Sequence, residues 1–353
     1  MTAPSRRTAP GEAILVASRG DGGNSGLQRW VPVAGVWEFG GDAQVDQLAS
    51  LILHPSLPLV YGVSAIGETS SRIHCWRVEG DEIVTVGETE GFGVDPCHLM
   101  VDPTGRLLIV TNFASGDLTV QKLSTDGTFE ATPFMLALTG SSIDPERQAQ
   151  PHPHQAAYVG GVLVVVDLGA DVLREFAVDP SAVAPEALRE TRQTPVPPGS
   201  GPRHLAVLPD GRVVLSGELA SSVLVGRVGD EVSAWSSIPS TQRTGPAKTR
   251  HLRNYPGDIQ ASSDGRFVYL ANRGYDTIAA FAVDGATPHL VAEQDATVAW
   301  PQYLLVRGDE LVVAGWDSSR VVALPLDAGV PGAAKPMFDC PNPVWLLSAP
   351  RTY

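Results

Sequence analysis

The chain has 353 residues, 43% of them hydrophobic, with 36 glycines and 29 prolines scattered between short apolar runs. That apolar share excludes a disordered chain, and the scattered turn residues exclude a collagen-like tract or a single long linker. Asp and Glu outnumber Lys and Arg by 39 to 25, so the net charge of −14 excludes a general nucleic-acid surface and leaves room only for a local basic pocket.

Residues 1–12 carry two arginines but no apolar stretch of signal-peptide length, and read as a flexible tail. No later run approaches 18 apolar residues, so the expectation is a soluble, cytoplasmic protein with no membrane partner. The three cysteines, Cys75, Cys97 and Cys340, are odd in number and far apart, which fits reduced thiols better than a disulfide framework or a zinc site.

From Ala13 onward the chain repeats itself. The first apolar run, "AILVASRG" (13–20), is followed by a unit beginning at Leu48, "LASLILHPSLPLVYGVSAIGETSSRIHCWRV". Further copies begin at Asp95 ("DPCHLMVDPTGRLLIVTNFASG"), His154 ("HQAAYVGGVLVVVDLGAD"), Gly201 ("GPRHLAVLPDGRVVLSGEL"), Tyr255 ("YPGDIQASSDGRFVYLANRG") and Trp300 ("WPQYLLVRGDELVVAGWDSS"). A short apolar stretch meets a turn, Gly-containing in every copy but the one at Leu48, and a second stretch rich in Val, Leu and Tyr follows. A third stretch comes after a polar loop. Such runs are strands of antiparallel hairpins.

Equivalent positions fall at Ser50, His98, His154, His204, Asp258, Tyr303 and Trp345, a period of 42–56 residues that suits a four-stranded propeller blade. The first run matches the second strand of a unit, and the last, "NPVWLLSAP" (342–350), matches the first strand. Joined, they complete a seventh blade and remove the open edges. The sequence therefore predicts an all-β, seven-bladed β-propeller of four-stranded antiparallel blades, a single domain over 13–350. A pair of β-sandwiches would leave the matching phase of the termini unexplained. The Trp-Asp pair in "GWDSS" (315–319) lacks its Gly-His partner and does not mark a WD40 unit.

Blade topology converts these positions into geometry. The start of each first strand lies beside the end of the second, on one face of the ring. That places His98, His154, Arg203, His204, Asp258 and Gln302 near the ends Asn112, Asp167, Glu218, Asn272, Arg273 and Trp316 around one channel mouth. In "QPHPHQ" (150–155), His154 takes the rim position and His152 lies in the approach loop as a supporting residue. For His154 the residues leave three readings open: metal ligation, proton transfer or substrate binding, and structural packing. His98 and His204 are equally open to a structural role.

"GPRHLAVLPDG…GEL", "DPCHLMVDPTGR…TNFASG", "PHPHQ…DLGAD" and "SSDGRFVYLANRG" together resemble the lactonase family of seven-bladed propellers, over nearly the whole chain. That family includes propeller-type 6-phosphogluconolactonases and carboxy-muconate lactonizing enzymes. The resemblance implies a catalytic set of His154, Arg203, Glu218 and Arg273, with no metal and no cofactor. It implies a small-molecule lactone or carboxylate as partner. His98, Asn112, Asp167, His204, Asp258, Asn272, Gln302 and Trp316 are expected to bind substrate, in a monomer or weak homodimer. Two departures stand out: Gln302 occupies a position where the family often has Arg, and Trp316 one where it often has a small amide. Both point to a less anionic or bulkier substrate, unless the basic loop "AKTRHLRNY" (247–255) compensates.

Lactone opening needs an activated water and a stabiliser for the oxyanion. His154 or Glu218 is the expected base, and pairing between Arg203 and Glu218 would weaken the latter. A muconate-type cycloisomerase and a non-catalytic binding propeller are the competing readings.

Overall fold

The strands pair antiparallel into seven sheets set around a central channel. The computed structural model describes residues 13–22, 25–79, 82–247 and 253–349; the expected tail over 1–12 lies outside them, as does most of the basic loop, residues 248–252. Blade 1 shows the plan. Leu48–Leu53 is innermost and pairs with Leu59–Ile66, which pairs with Ser70–Glu79 and then Glu82–Gly91. Blades 2 to 6 repeat it over 96–137, 153–195, 202–239, 255–295 and 301–339, and blade 6 adds the short strand Val330–Pro331. The one helical element among the described residues is a 3-10 turn at Val232–Ala234.

Blade 7 closes the ring as the terminal phases predict. Pro343–Ser348 is its innermost strand and pairs with Ile14–Ser18, outside which lie Gly26–Val33 and Val36–Gln44.

The core lies between blades rather than inside them. In Leu107–Asn112, Leu107 and Ile109 pack toward blade 3, while Leu108 and Val110 pack toward blade 1. Both faces of such a strand are covered, so it reads as a continuous apolar run with no polar alternation. Each fully buried aliphatic side chain contributes about 1.5–3 kcal/mol of transfer free energy. The interfaces flanking blade 7 mix residues from both ends of the chain: Ile14, Val16 and Leu346 toward blade 6, Leu15, Ala17 and Trp345 toward blade 1.

One irregularity positions the site. At the head of every innermost strand the pairing register shifts, leaving bulged residues opposite the second strand. The bulged residues are Ala49, Cys97, His154, Gln302 and Val344 in five blades, the pair Arg203 and His204 in blade 4, and Gly257 with Asp258 in blade 5. A bulge re-aims its side chain, here toward the channel mouth. This register corrects the alignment drawn from the repeat. His154 corresponds to Cys97 and Arg203, and Gln155 corresponds to His98 and His204. The side chains agree: Gln155 accepts from the backbone N–H of Leu205 in the next blade (2.6 Å), as Asp258 does from Leu304 (3.0 Å).

Candidate active site

The bulges open onto a cavity of about 250 Å³ at one channel mouth. Cys97, His154, Arg203, His204 and Gln302 reach it from first strands. Phe113, Glu218, Arg273 and Trp316 reach it from second strands, each at the position after the residue paired with Pro96, Pro202, Pro256 or Pro301. Blade 5 contributes only Arg273, and Gly257 explains why. A Cβ there would lie 3.1 Å from Arg273 Nε, in the space the guanidinium stem fills.

Glu218 is the centre of the charge network. Its Oε2 accepts from Arg273 Nη2 at 2.6 Å and lies 3.1 Å from Arg203 Nε, while Oε1 accepts from Arg147 Nη2 at 2.9 Å. Burial alone would raise the Glu218 pKa, but Arg273, Arg203, His154 and Arg147 together hold it down to about 2. Arg273 is fixed further by donating to Tyr255 O (3.0 Å) and Gln302 Oε1 (3.2 Å), with Trp300 under its guanidinium. Burial and Arg273 disfavour the Arg203 cation, and Glu218 and Asp258 offset them.

His154, His204, His98 and His74 are held neutral. His154 lines the cavity edge-on to Phe113 (5.4 Å between centroids) and His204 (5.0 Å), and its Nδ1 is buried with no hydrogen-bond partner among the described residues. Burial, then Arg203 and His204, push its pKa well below 6.5, and the nearby Glu218 pulls the other way. Burial lowers His204 likewise, His98 to about 3 and His74 to about 4.

These depressed values carry a stability consequence. In the unfolded chain each imidazole titrates near 6.5, so below that pH the unfolded state takes up protons that the fold refuses. Stability is therefore expected to fall as pH drops from about 6.5 toward the folded values, by about 1.4 kcal/mol per pH unit for each histidine kept neutral. Glu218 adds to the loss from about 4.5 toward 2, where its unfolded form binds the proton first. A urea-denaturation midpoint that stays constant between about pH 7 and pH 4 contradicts this.

The structure brings His154, Arg203, Glu218, Arg273, His204, Gln302 and Trp316 onto the cavity, and leaves five other expected site residues away from it. Asn112 is sealed under Gly93 and donates to Asp117 Oδ1 (2.7 Å) and Thr119 Oγ1 (3.0 Å). Asp167 accepts from the backbone N–H of His152 and Gly169 and from Arg174 Nε, so it does not orient His154. Asn272 donates to Ser240 O and accepts from Asn254. In all three the cause is strand parity. They pair with Pro96, Pro153 and Pro256 at the heads of first strands and turn their side chains back into their own blade, while in blades 2 and 5 the next residue, Phe113 or Arg273, faces the channel. Asp258 is fully buried beside His204, and burial pushes it up to about 6 against Gln260, the Leu304 N–H and Arg203. His98 packs edge-on against Trp345 and His204.

His152 diverges from His154. Its Nδ1 hydrogen-bonds Phe113 O (2.7 Å) and its ring stacks on Phe113, which supports the cavity wall. Among the described residues no group of three His, Cys, Asp or Glu side chains converges to hold a metal. Cys97 approaches the carbonyl oxygens of His154 and Pro153, and burial pushes its thiol up to about 12, which removes it as a nucleophile.

Sequence reasoning missed Arg147, Arg19 and Asp95. Arg147 sits in the connection between blades 2 and 3 (138–152), on a turn where Asp144 Oδ1 accepts from the Glu146 and Arg147 N–H groups. Arg19 follows the first strand, donates to Asp95 Oδ1 at 2.6 Å and lies over the Trp316 ring. Loop length was the available signal. The connections 138–152 and 240–254 are far longer than those between other blades, and long loops in compact folds are usually functional.

A sequence profile described as "Lactonase, 7-bladed beta-propeller" matches residues 37–348. A 6-phosphogluconolactonase of Bacillus subtilis (strain 168) is 32% identical over 222 residues, a match covering 60% of this chain and 59% of that protein's length. A second protein of that name, from Formosa agariphila, is 24% identical over 302 residues, covering 79% and 82% of the two chains. Among solved structures, a protein of Bacteroides fragilis NCTC 9343 superposes with a TM-score of 0.81 at 26% identity, over 96% of this chain and 97% of that one. A periplasmic gluconolactonase of Pseudomonas aeruginosa shares the fold, with a TM-score of 0.82 at 23% identity over 96% and 99%. The chain belongs to the lactonase family of seven-bladed β-propellers.

Proposed function

We propose that the protein hydrolyses a sugar lactone, 6-phosphogluconolactone or a close relative, to the open hydroxy acid. The observation that carries this reading is the convergence of His154, Arg203, Glu218 and Arg273, the set the family resemblance marks, on one cavity. The names of the Bacillus and Formosa relatives point the same way.

In this mechanism neutral His154 takes a proton from water as the oxygen attacks the lactone carbonyl. Arg203 and Arg273 hold the oxyanion that forms. The tetrahedral intermediate then expels the ring oxygen, which leaves as an alkoxide and takes the proton back from His154. Glu218 is a poor base, since both its oxygens are engaged by guanidinium groups and its pKa is near 2. It serves instead as the anion that lets three arginines share one small site.

The cavity suits an anionic substrate even though Gln302 stands in place of an arginine. Arg19, Arg147, Arg203 and Arg273 face it against only Asp95 and Glu218, in a chain of net charge −14. Arg147 supplies a cation from the rim, and Trp316, Tyr303, Phe113 and Trp345 give apolar walls for a ring. The free thiols of Cys75, Cys97 and Cys340 fit a reducing, cytoplasmic setting, and no helix among the described residues is long and apolar enough to cross a membrane.

The test is a panel of phosphorylated and unphosphorylated sugar lactones, followed by proton release. Hydrolysis above the spontaneous rate is expected, with a lower KM for the phosphorylated member. Failure to accelerate any of them removes the assignment.

A further inference from the structure

Asp258 and His204 form a buried chain behind Arg203 that the catalytic sequence above does not use. His204 Nδ1 lies 2.7 Å from Asp258 Oδ1, and His204 Nε2 lies 3.2 Å from Arg203 Nη1. A guanidinium can only donate, so Nε2 must present its lone pair to Arg203. The ring proton is therefore on Nδ1, where the Asp258 carboxylate accepts it. The other carboxylate oxygen, Oδ2, accepts from Gln260 Nε2 (2.9 Å) and from the Leu304 N–H (3.0 Å). Asp258 is fully buried and His204 is 2% exposed, so water does not substitute for these bonds as it would at a surface.

We propose that Asp258 and His204 are positioning residues for the reaction, fixing the imidazole tautomer that anchors Arg203 so that its remaining donors are set toward the reacting carbonyl. Neither need touch the reacting atoms. His204 is held by Asp258, Arg203 is held by His204 on one side and Glu218 on the other, and the bulge of blade 4 makes the two neighbours in sequence point along one line. The geometry explains why an acid sits at the channel position of blade 5, away from the cavity, where an apolar residue would pack.

Asp258→Asn tests the chain of bonds in a directed way. Gln260 and Leu304 both donate toward Oδ2, so the asparagine carbonyl must take that place and its NH₂ must face His204. That NH₂ donates to Nδ1, which moves the ring proton to Nε2 and sets it against the Arg203 N–H. The expected result is a fall in kcat of about 10²-fold with little change in KM, the pattern of a lost transition-state contact. His204→Phe should fall as far. His204→Gln places an amide oxygen near the Nε2 position, and should recover most of the loss.

The kinetic arm rests on the lactone-hydrolysis reading; the second readout does not. In ¹⁵N-histidine-labelled protein, nitrogen–proton correlation spectra should show His204 with its proton on Nδ1 in the wild type and on Nε2 in Asp258→Asn. An Nε2–H tautomer in the wild type overturns the proposal. So does a kcat within threefold of wild type in Asp258→Asn, or a His204→Gln enzyme as slow as His204→Phe, which would make His204 the proton acceptor itself. A wild type inactive on every lactone, with the tautomers as stated, would remove the function and leave the positioning chain standing.

Discussion

Arg203→Ala is expected to lower kcat/KM for a sugar δ-lactone by roughly 10²–10³-fold, the usual effect of removing one donor to a developing oxyanion. The fold should survive. Glu218 keeps its partners Arg273 at 2.6 Å and Arg147 at 2.9 Å, so the substitution does not leave the buried carboxylate alone. It also relieves the repulsion between Arg203 and Arg273. Circular dichroism and the thermal midpoint should therefore stay close to wild type while turnover is lost. An unchanged rate in a folded variant would show that Arg203 is a structural cation and that the oxyanion lies elsewhere.

His154→Ala should cost about 10²–10⁴-fold in kcat, the range for loss of a positioned general base. KM should move less, because the charged groups that hold the substrate remain. The deletion enlarges an open cavity, so added imidazole is expected to restore part of the rate in a concentration-dependent way. Rescue would be specific to the proton-transfer role, since a packing defect is not repaired by a soluble base of that pKa. Full activity in His154→Ala, together with inactivity of Glu218→Gln, would assign the base to Glu218 and require its arginine clamp to open when substrate binds.

The ring was legible because its physics is periodic. Seven equivalent strands need seven similar apolar runs, and blade 7 needs complementary halves at the two ends, which "AILVASRG" and "NPVWLLSAP" supply. Glu218, Arg273 and Trp316 were also legible, each one residue past the partner of a first-strand proline, Pro202, Pro256 or Pro301. Asn112, Asp167 and Asn272 fail for the same reason, since a shift of one residue along a strand reverses the side chain. The bulges were hidden. They add a residue without changing the hydrophobic pattern, so His154 aligned with His204 by letter while sharing its geometry with Arg203. Arg147 lay outside the repeat, in one of the two long connections between blades, where the repeat offers no pattern position to read.

The Asp258–His204 chain was half visible. Both residues stood at channel positions, and polar residues there suggested substrate contact. Burial is what separates the two roles. Asp258 has no surface to offer a ligand, yet it lies where it can set the hydrogen-bonding state of a residue that does.

The composite blade also governs when the cavity comes into being. Val344 and Trp345 form part of its wall, and they belong to the innermost strand, Pro343–Ser348, whose partner Ile14–Ser18 leaves the ribosome more than three hundred residues earlier. During synthesis that early strand has its outer neighbour Gly26–Val33 but no inner mate, and blades 1 to 6 form an open arc. All four groups of the proposed catalytic set are translated before the arc can close, but the pocket they share is walled only when Pro343–Ser348 arrives. Translation thus withholds a finished site from any nascent chain that stops short.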